Sequence, residues 1–113
     1  PTPDCTCIRD YIHIGDLAEA HILALGHNES GIYNLGIGKG YSVREVIDVA
    51  RSISGCDIPT VAGERRVGDP PALIANGSRA REALGWSPQF ERLEDIVQSA
   101  WDWHREHPDG YAD

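Results

Sequence analysis

Gly31-Ile32-Tyr33-Asn34-Leu35-Gly36-Ile37-Gly38-Lys39-Gly40-Tyr41-Ser42-Val43-Arg44-Glu45 is the stretch from which the rest of the chain is read. Ile32, Tyr33 and Leu35 lie between two glycines, which predicts a short strand over residues 31–36. Glycines at 36, 38 and 40 then permit a tight turn. Ser42 and Glu45 form an S-x-x-E capping box, in which each side chain accepts a hydrogen bond from the other residue's backbone N–H. Val43, Val46, Ile47, Ala50 and Ile53 continue at helical spacing until Gly55 stops the run. A strand that turns through glycines into an amphipathic helix is a unit of α/β architecture.

Working outward, residues 9–14 (Arg-Asp-Tyr-Ile-His-Ile) predict another strand, ending at Gly15. Asp16 suits the N-cap of a helix that carries Leu17, Ala20, Ile22, Leu23 and Ala24 to about Leu25, with Gly26 as its stop. Towards the C-terminus, residues 58–61 suit an edge strand, where Pro59 is tolerated. Residues 63–71 form a loop rich in arginine, glycine and proline. Ser78 caps a short helix ending near Leu84 and Gly85. Leu93, Ile96, Val97, Ala100, Trp101 and His104 mark a last helix that Pro108 ends. The order strand, helix, strand, helix, strand, helix, helix predicts an α/β fold, with parallel pairing where strands share a sheet.

The 113 residues are enough for one modest domain or a piece of a larger protein. A formal charge of −8 opposes the phosphate neutralisation on which nucleic-acid binding depends. No apolar run approaches the ~20 residues of a membrane helix. Cys5, Cys7 and Cys56 are odd in number and form no disulfide framework, so free thiols in a reducing cytoplasm are expected. The first residue is Pro1 rather than Met, and residues 1–4 read as loop, which suits a fragment.

Candidate sites are few. The glycine turn imitates a dinucleotide fingerprint, but G-x-G-x-x-G requires glycine or alanine where Tyr41 stands. It is read as a turn beside some ligand and not as an NAD site. Arg65-Arg66-Val67-Gly68-Asp69-Pro70 sets two guanidiniums on a constrained loop, which suits a diphosphate, with Asp69 able to accept from sugar or ribose hydroxyls. The same pair would serve equally in surface ion pairs. Arg9 beside Tyr11 adds a third arginine, whose plain reading is a strand-edge ion pair. His13 reads as a packed strand residue. His104 and His107 lack a completing ligand set, and Cys5-x-Cys7 has two of the four ligands a structural zinc needs. Trp86, Trp101 and Trp103 read as packing. No serine stands in a nucleophile elbow.

Three segments in order are similar to UDP-glucose 4-epimerases of the extended short-chain dehydrogenase/reductase family. They are Arg9-Asp10-Tyr11-Ile12-His13-Ile14 with Asp16-Leu17-Ala18, then Tyr33-Asn34-Leu35-Gly36-x-Gly38-x-Gly40-x-Ser42-Val43, then Arg65-Arg66-x-Gly68-Asp69. Ala83-Leu84-Gly85-Trp86 and the ending from Trp101 to Tyr111 extend the likeness over nearly the whole chain. The resemblance implies that Arg9 and Arg66 hold the UDP phosphates, that Asp69 contacts the nucleoside, and that Tyr11 and Val43 lie along the UDP. Alignment from Arg66 places Leu73 at a wall of the sugar pocket, where a side chain smaller than tyrosine leaves room for N-acetylated sugars.

The same resemblance implies a C-terminal, substrate-binding part without most of its Rossmann domain. NAD, the Tyr-x-x-x-Lys acid/base pair and the active-site serine would belong to the missing N-terminal domain, leaving no catalytic, cofactor-binding or metal-binding residue here. Residues 1–28 would dock on that domain and residues 29–113 would form the UDP-sugar-binding portion. Homodimers are common in the family. A related nucleotide-sugar epimerase or decarboxylase, and a non-catalytic nucleotide-sugar-binding module, are the alternatives. One departure stands out: the family has glycine where Cys5 sits, so a positive φ there would strain the cysteine by roughly 1–2 kcal/mol.

Overall fold

The computed structural model describes residues 2–111, so Pro1 of the expected initial loop lies outside the described residues. Along the chain run β1 (Ile8–Arg9), α1 (Ile14–Leu25), β2 (Tyr41–Ser42), α2 (Val43–Ser54), β3 (Ala72–Leu73), α3 (Ser78–Leu84) and α4 (Leu93–Glu106). The strands form one small sheet in the order β2-β1-β3. β1 pairs with β3 in parallel, as expected, but with β2 antiparallel, which corrects the expectation of parallel pairing alone. The α/β class holds, with the helices supplying most of the regular structure. No helix among the described residues is long and apolar enough to cross a membrane.

Two expected strands are absent among the described residues, and a third is shorter than expected. At residues 31–36 side chains replace a neighbouring strand: the Arg79 guanidinium donates to the Ile32 carbonyl (3.1 Å), and the Asp10 carboxylate accepts from the N–H groups of Ile37 and Gly38 just beyond. At 58–61 the Ile58 carbonyl is taken by the Arg51 guanidinium, and Pro59 has no N–H to offer a ladder. The strand expected at 9–14 keeps its ladder only at Ile8–Arg9, because the helix has begun by Ile14.

That early start also corrects the role of Asp16. The N-cap of α1 is His13, whose Nδ1 accepts from the Gly15 N–H at 2.9 Å. The imidazole proton therefore sits on Nε2, which donates to Ser99 Oγ at 2.8 Å while the ring stacks on Phe90. Asp16 lies in the first turn, where a negative charge suits the helix dipole, and its buried carboxylate accepts from the N–H groups of Gln89 (2.8 Å) and Phe90 (3.0 Å). α3 is also capped differently: Gly77 holds the cap position, and the Ser78 N–H is taken by Asn76 Oδ1. Gly26 ends α1 in a right-handed conformation, with its N–H on the Ile22 carbonyl.

α2 forms as its sequence dictates. Both halves of the Ser42–Glu45 capping box are made, and Gly55 closes the helix at φ 66°. α2 packs on α4, with Val46, Ile47 and Ile53 half-buried on one helix and Leu93 fully buried at the start of the other. A second cluster lies between α1 and α3, where Trp86 is 1% exposed against Ala20 and Ala80. Ile12, Leu23, Tyr33, Leu35 and Leu84 surround it. Outside these clusters, Ile14, Ile22 and Leu25 leave an apolar stretch of α1 exposed.

Candidate functional site

The loop of residues 63–71 and the strand that follows it border two hollows. The larger, about 470 Å³, is lined by Arg65, Arg66 and Asp69 on one side and by Val43, Cys5 and Thr6 on the other. The smaller, about 360 Å³, has Arg9 and Asp10 facing Asn34, Leu35 and the run from Leu73 to Ala75. Three expected site residues (Val43, Arg66, Asp69) thus share one hollow, and Arg9 and Leu73 share the other. Tyr11 is half-buried and lines neither.

The two hollows are linked through Arg9, whose Nη1 donates to the Ile8 carbonyl at 2.8 Å and to the Pro70 carbonyl at 3.1 Å. Arg65 is similarly occupied, donating to the Asp69 carbonyl at 2.9 Å, which braces the loop at Gly68 (φ 89°). The exposed Arg66 guanidinium has no hydrogen-bond or ion-pair partner among the described residues. It is therefore the cation of the larger hollow most available to an anion. Neither arginine makes an ion pair among the described residues: Arg65 is held by a backbone carbonyl, and Arg66 is left for an anion.

The start of α2 borders the same hollow, and a helix N-terminus is a ready anion site only while its N–H groups are free. Here they are used. Val43 N–H donates to the Cys7 carbonyl (3.0 Å), Arg44 N–H to Thr6 Oγ1 (3.2 Å) and Glu45 N–H to Ser42 Oγ (3.1 Å). Asp4 holds this plug in place. Its carboxylate accepts from the Ser42 hydroxyl and from both the N–H and the hydroxyl of Thr6, bonds that lower its pKa to about 2. An anion in the hollow therefore gains nothing from the N–H groups at the start of α2.

Cys5 turns within this plug at φ 65°, and among the described residues it is the sole non-glycine with positive φ. Glycine there would relieve about 1–2 kcal/mol of strain at the expense of ~0.5–1 kcal/mol of extra chain freedom. Cys5→Gly is therefore expected to stabilise the protein by about 0.5–1 kcal/mol in urea unfolding. An unchanged or lower midpoint would show that the turn carries no such strain.

The glycine turn does not suit a nicotinamide dinucleotide. The N–H groups of Ile37 and Gly38, which would have to face a pyrophosphate, already donate to the Asp10 carboxylate at 3.0 and 2.9 Å. A fixed negative charge in that position repels a second anion. Asp10, Asp16 and Asp4 are the residues whose roles the sequence did not show. Asp10 stood inside a quoted run, but its partners lie 27, 28 and 65 residues away.

The family described as GDP-mannose 4,6 dehydratase matches residues 3–100. The chain belongs to that family. Within it, the resemblance to UDP-glucose 4-epimerases is borne out. The UDP-glucose 4-epimerase of Halalkalibacterium halodurans is 52% identical over 98% of this chain. The crystal structure of UDP-glucose 4-epimerase from Bifidobacterium longum, in complex with NAD+ and UDP, superposes with a TM-score of 0.87 at 41% identity over 97% of the chain. The UDP-Glc/GlcNAc 4-epimerase of Campylobacter jejuni gives 0.79 at 44% identity over 93%. The match spans 34%, 33% and 33% of those proteins' own lengths, so this member of the family corresponds to about a third of such an epimerase. The expected fold, α/β and part of an extended short-chain dehydrogenase/reductase, agrees with these superpositions.

Proposed function

We propose that this chain is the UDP-sugar-binding, C-terminal part of an NAD-dependent UDP-glucose 4-epimerase, which interconverts UDP-glucose and UDP-galactose. The observation that carries the reading is the unpartnered Arg66 guanidinium in a hollow shared with Val43 and Asp69. Arg66 holds the diphosphate, Asp69 accepts from the nucleoside, and Val43 packs along the UDP. Arg9 joins them by releasing the Pro70 carbonyl, and Tyr11 does so by turning towards the nucleotide. Leu73, 60% exposed at the edge of the smaller hollow, forms an apolar wall for the sugar. A wall of that size leaves space for N-acetylated sugars, in keeping with the Glc/GlcNAc specificity named for the Campylobacter jejuni protein.

NAD supplies the hydride chemistry at C4 of the sugar, and the glycine turn of this chain is unsuited to hold it. Cofactor and acid/base pair are assigned to the preceding domain, and no turnover to the 113 residues alone. This part orients the substrate, which lowers the entropic barrier to reaction. Residues 1–28 dock on the NAD-binding domain through the exposed Ile14, Ile22 and Leu25 while lending Arg9 and Tyr11 to the nucleotide site, and residues 29–113 supply the rest of that site.

In the longer protein that carries this chain, Arg66→Ala is expected to weaken UDP binding by about 1.5–3 kcal/mol, the scale of a charge-assisted hydrogen bond. Arg66→Lys should restore only part of this, because the planar fork is lost. Wild-type affinity in both variants, measured calorimetrically, would return Arg66 to an ordinary surface role.

A further inference from the structure

We propose that Asp10 is a positioning residue for the sugar, because its carboxylate joins the two walls of the smaller hollow. One wall is Asn34 and Leu35, leading into the glycine turn; the other is the segment from Leu73 to Ala75. Oδ1 accepts from the Ile37 N–H (3.0 Å), and Oδ2 accepts from Gly38 (2.9 Å) and Ala75 (3.3 Å). No ladder joins the walls among the described residues, since β3 ends at Leu73 and residues 31–36 pair with nothing. The carboxylate does the work that backbone pairing does in a sheet.

Gly36 shows how closely the parts meet. A Cβ on it would stand 2.6 Å from both Asp10 Oδ2 and Ala75 Cβ, so a side chain there would push the walls apart. Ionised carboxylate oxygens only accept, and three N–H donors converge on them. An asparagine amide offers one oxygen and two donors, so it must turn an NH₂ towards at least one of those N–H groups. Leu73 stands opposite Arg9, the sequence neighbour of Asp10, in the β1–β3 register. A shift of the junction therefore moves the wall that meets the sugar directly, and reaches the hollow lined by Arg66, Val43 and Asp69 only at one remove, through the Arg9–Pro70 bond.

The inference rests on the sugar-nucleotide reading above, and its test separates the two. In the unmodified longer protein, residue-resolved hydrogen exchange is expected to show the amides of Ile37, Gly38 and Ala75 opening together. In Asp10→Asn, KM for UDP-galactose is expected to rise about tenfold, and the kcat/KM ratio of UDP-galactose to UDP-N-acetylgalactosamine to move about fivefold or more. Affinity for UDP itself should stay within about threefold. Gly36→Ala, which strains the same junction from the other side, should give the same signature. Independent opening of the three amides, or an equal fall for UDP and both sugars, would overturn the inference. Failure of the unmodified protein to bind UDP would instead overturn the reading of the larger hollow, with the exchange result still deciding whether Asp10 couples the walls.

Discussion

Trp86→Ala is expected to lower the unfolding free energy by about 3–5 kcal/mol, the range for removing a large aromatic from a core. Trp86 is 1% exposed and meets the α1 and α3 helices through Ala20 (2%) and Ala80 (0%), small residues that let the helices close around the indole. Its Nε1–H donates to the Asp16 carbonyl at 2.8 Å, a buried bond that would be lost with the ring. Few side chains share this core, so its collapse around the vacancy would be limited. Against a typical stability of ~5–15 kcal/mol the loss is severe. Trp86→Phe keeps most of the apolar area and forfeits the indole bond, for an expected loss of about 1–2 kcal/mol. Urea unfolding would read both as midpoint shifts at constant m. A shift worth under ~1 kcal/mol for Trp86→Ala would mean that the domain is held together elsewhere.

Asp16→Ala is the second large effect, at about 3 kcal/mol, because it strips two N–H donors of a charged acceptor. Asp16 is 3% exposed, and its carboxylate fixes Gln89 and Phe90 between α3 and α4. Phe90 in turn stacks on His13, so the loss should loosen the cap of α1 as well. Asp16→Asn retains one acceptor and sets an NH₂ against the other N–H, with an expected loss of about 1.5–2 kcal/mol. A stability change below ~0.5 kcal/mol for Asp16→Ala would show that water satisfies those N–H groups equally well.

The contrast between Asp16 and Ser42 shows what the sequence could carry. The capping box at Ser42 and Glu45 and the stop at Gly55 are made by residues within a few positions of one another, so a local pattern contains all of their physics. Asp16 has the same local credentials as a cap, but its carboxylate partners are 73 and 74 residues away, and His13 takes the cap with an imidazole nitrogen. The strands were misplaced for a related reason. Two-residue ladders are set by which backbone lies alongside, and the run of Ile32, Tyr33 and Leu35 has strand-like composition without a neighbour. The site was legible in part. Arg66, Val43 and Asp69, named from the resemblance, line one hollow, whereas the engagement of Arg9 with Pro70 depends on a fold that brings position 9 to position 70.

The pairing of β1 with β3 also sets the order in which this chain can be assembled as it is made. Ile8 and Arg9 are made well before their parallel partners Ala72 and Leu73, and Asp16 waits 73 residues for Gln89. At a synthesis rate of ~5–20 residues per second that wait is roughly 4–15 s, far longer than a helix such as α2 needs to form. Through that interval the Leu23 and Ile12 side chains that will cover Trp86 have nothing to cover. β1 can thus meet its antiparallel partner β2 well before its parallel partner β3 exists.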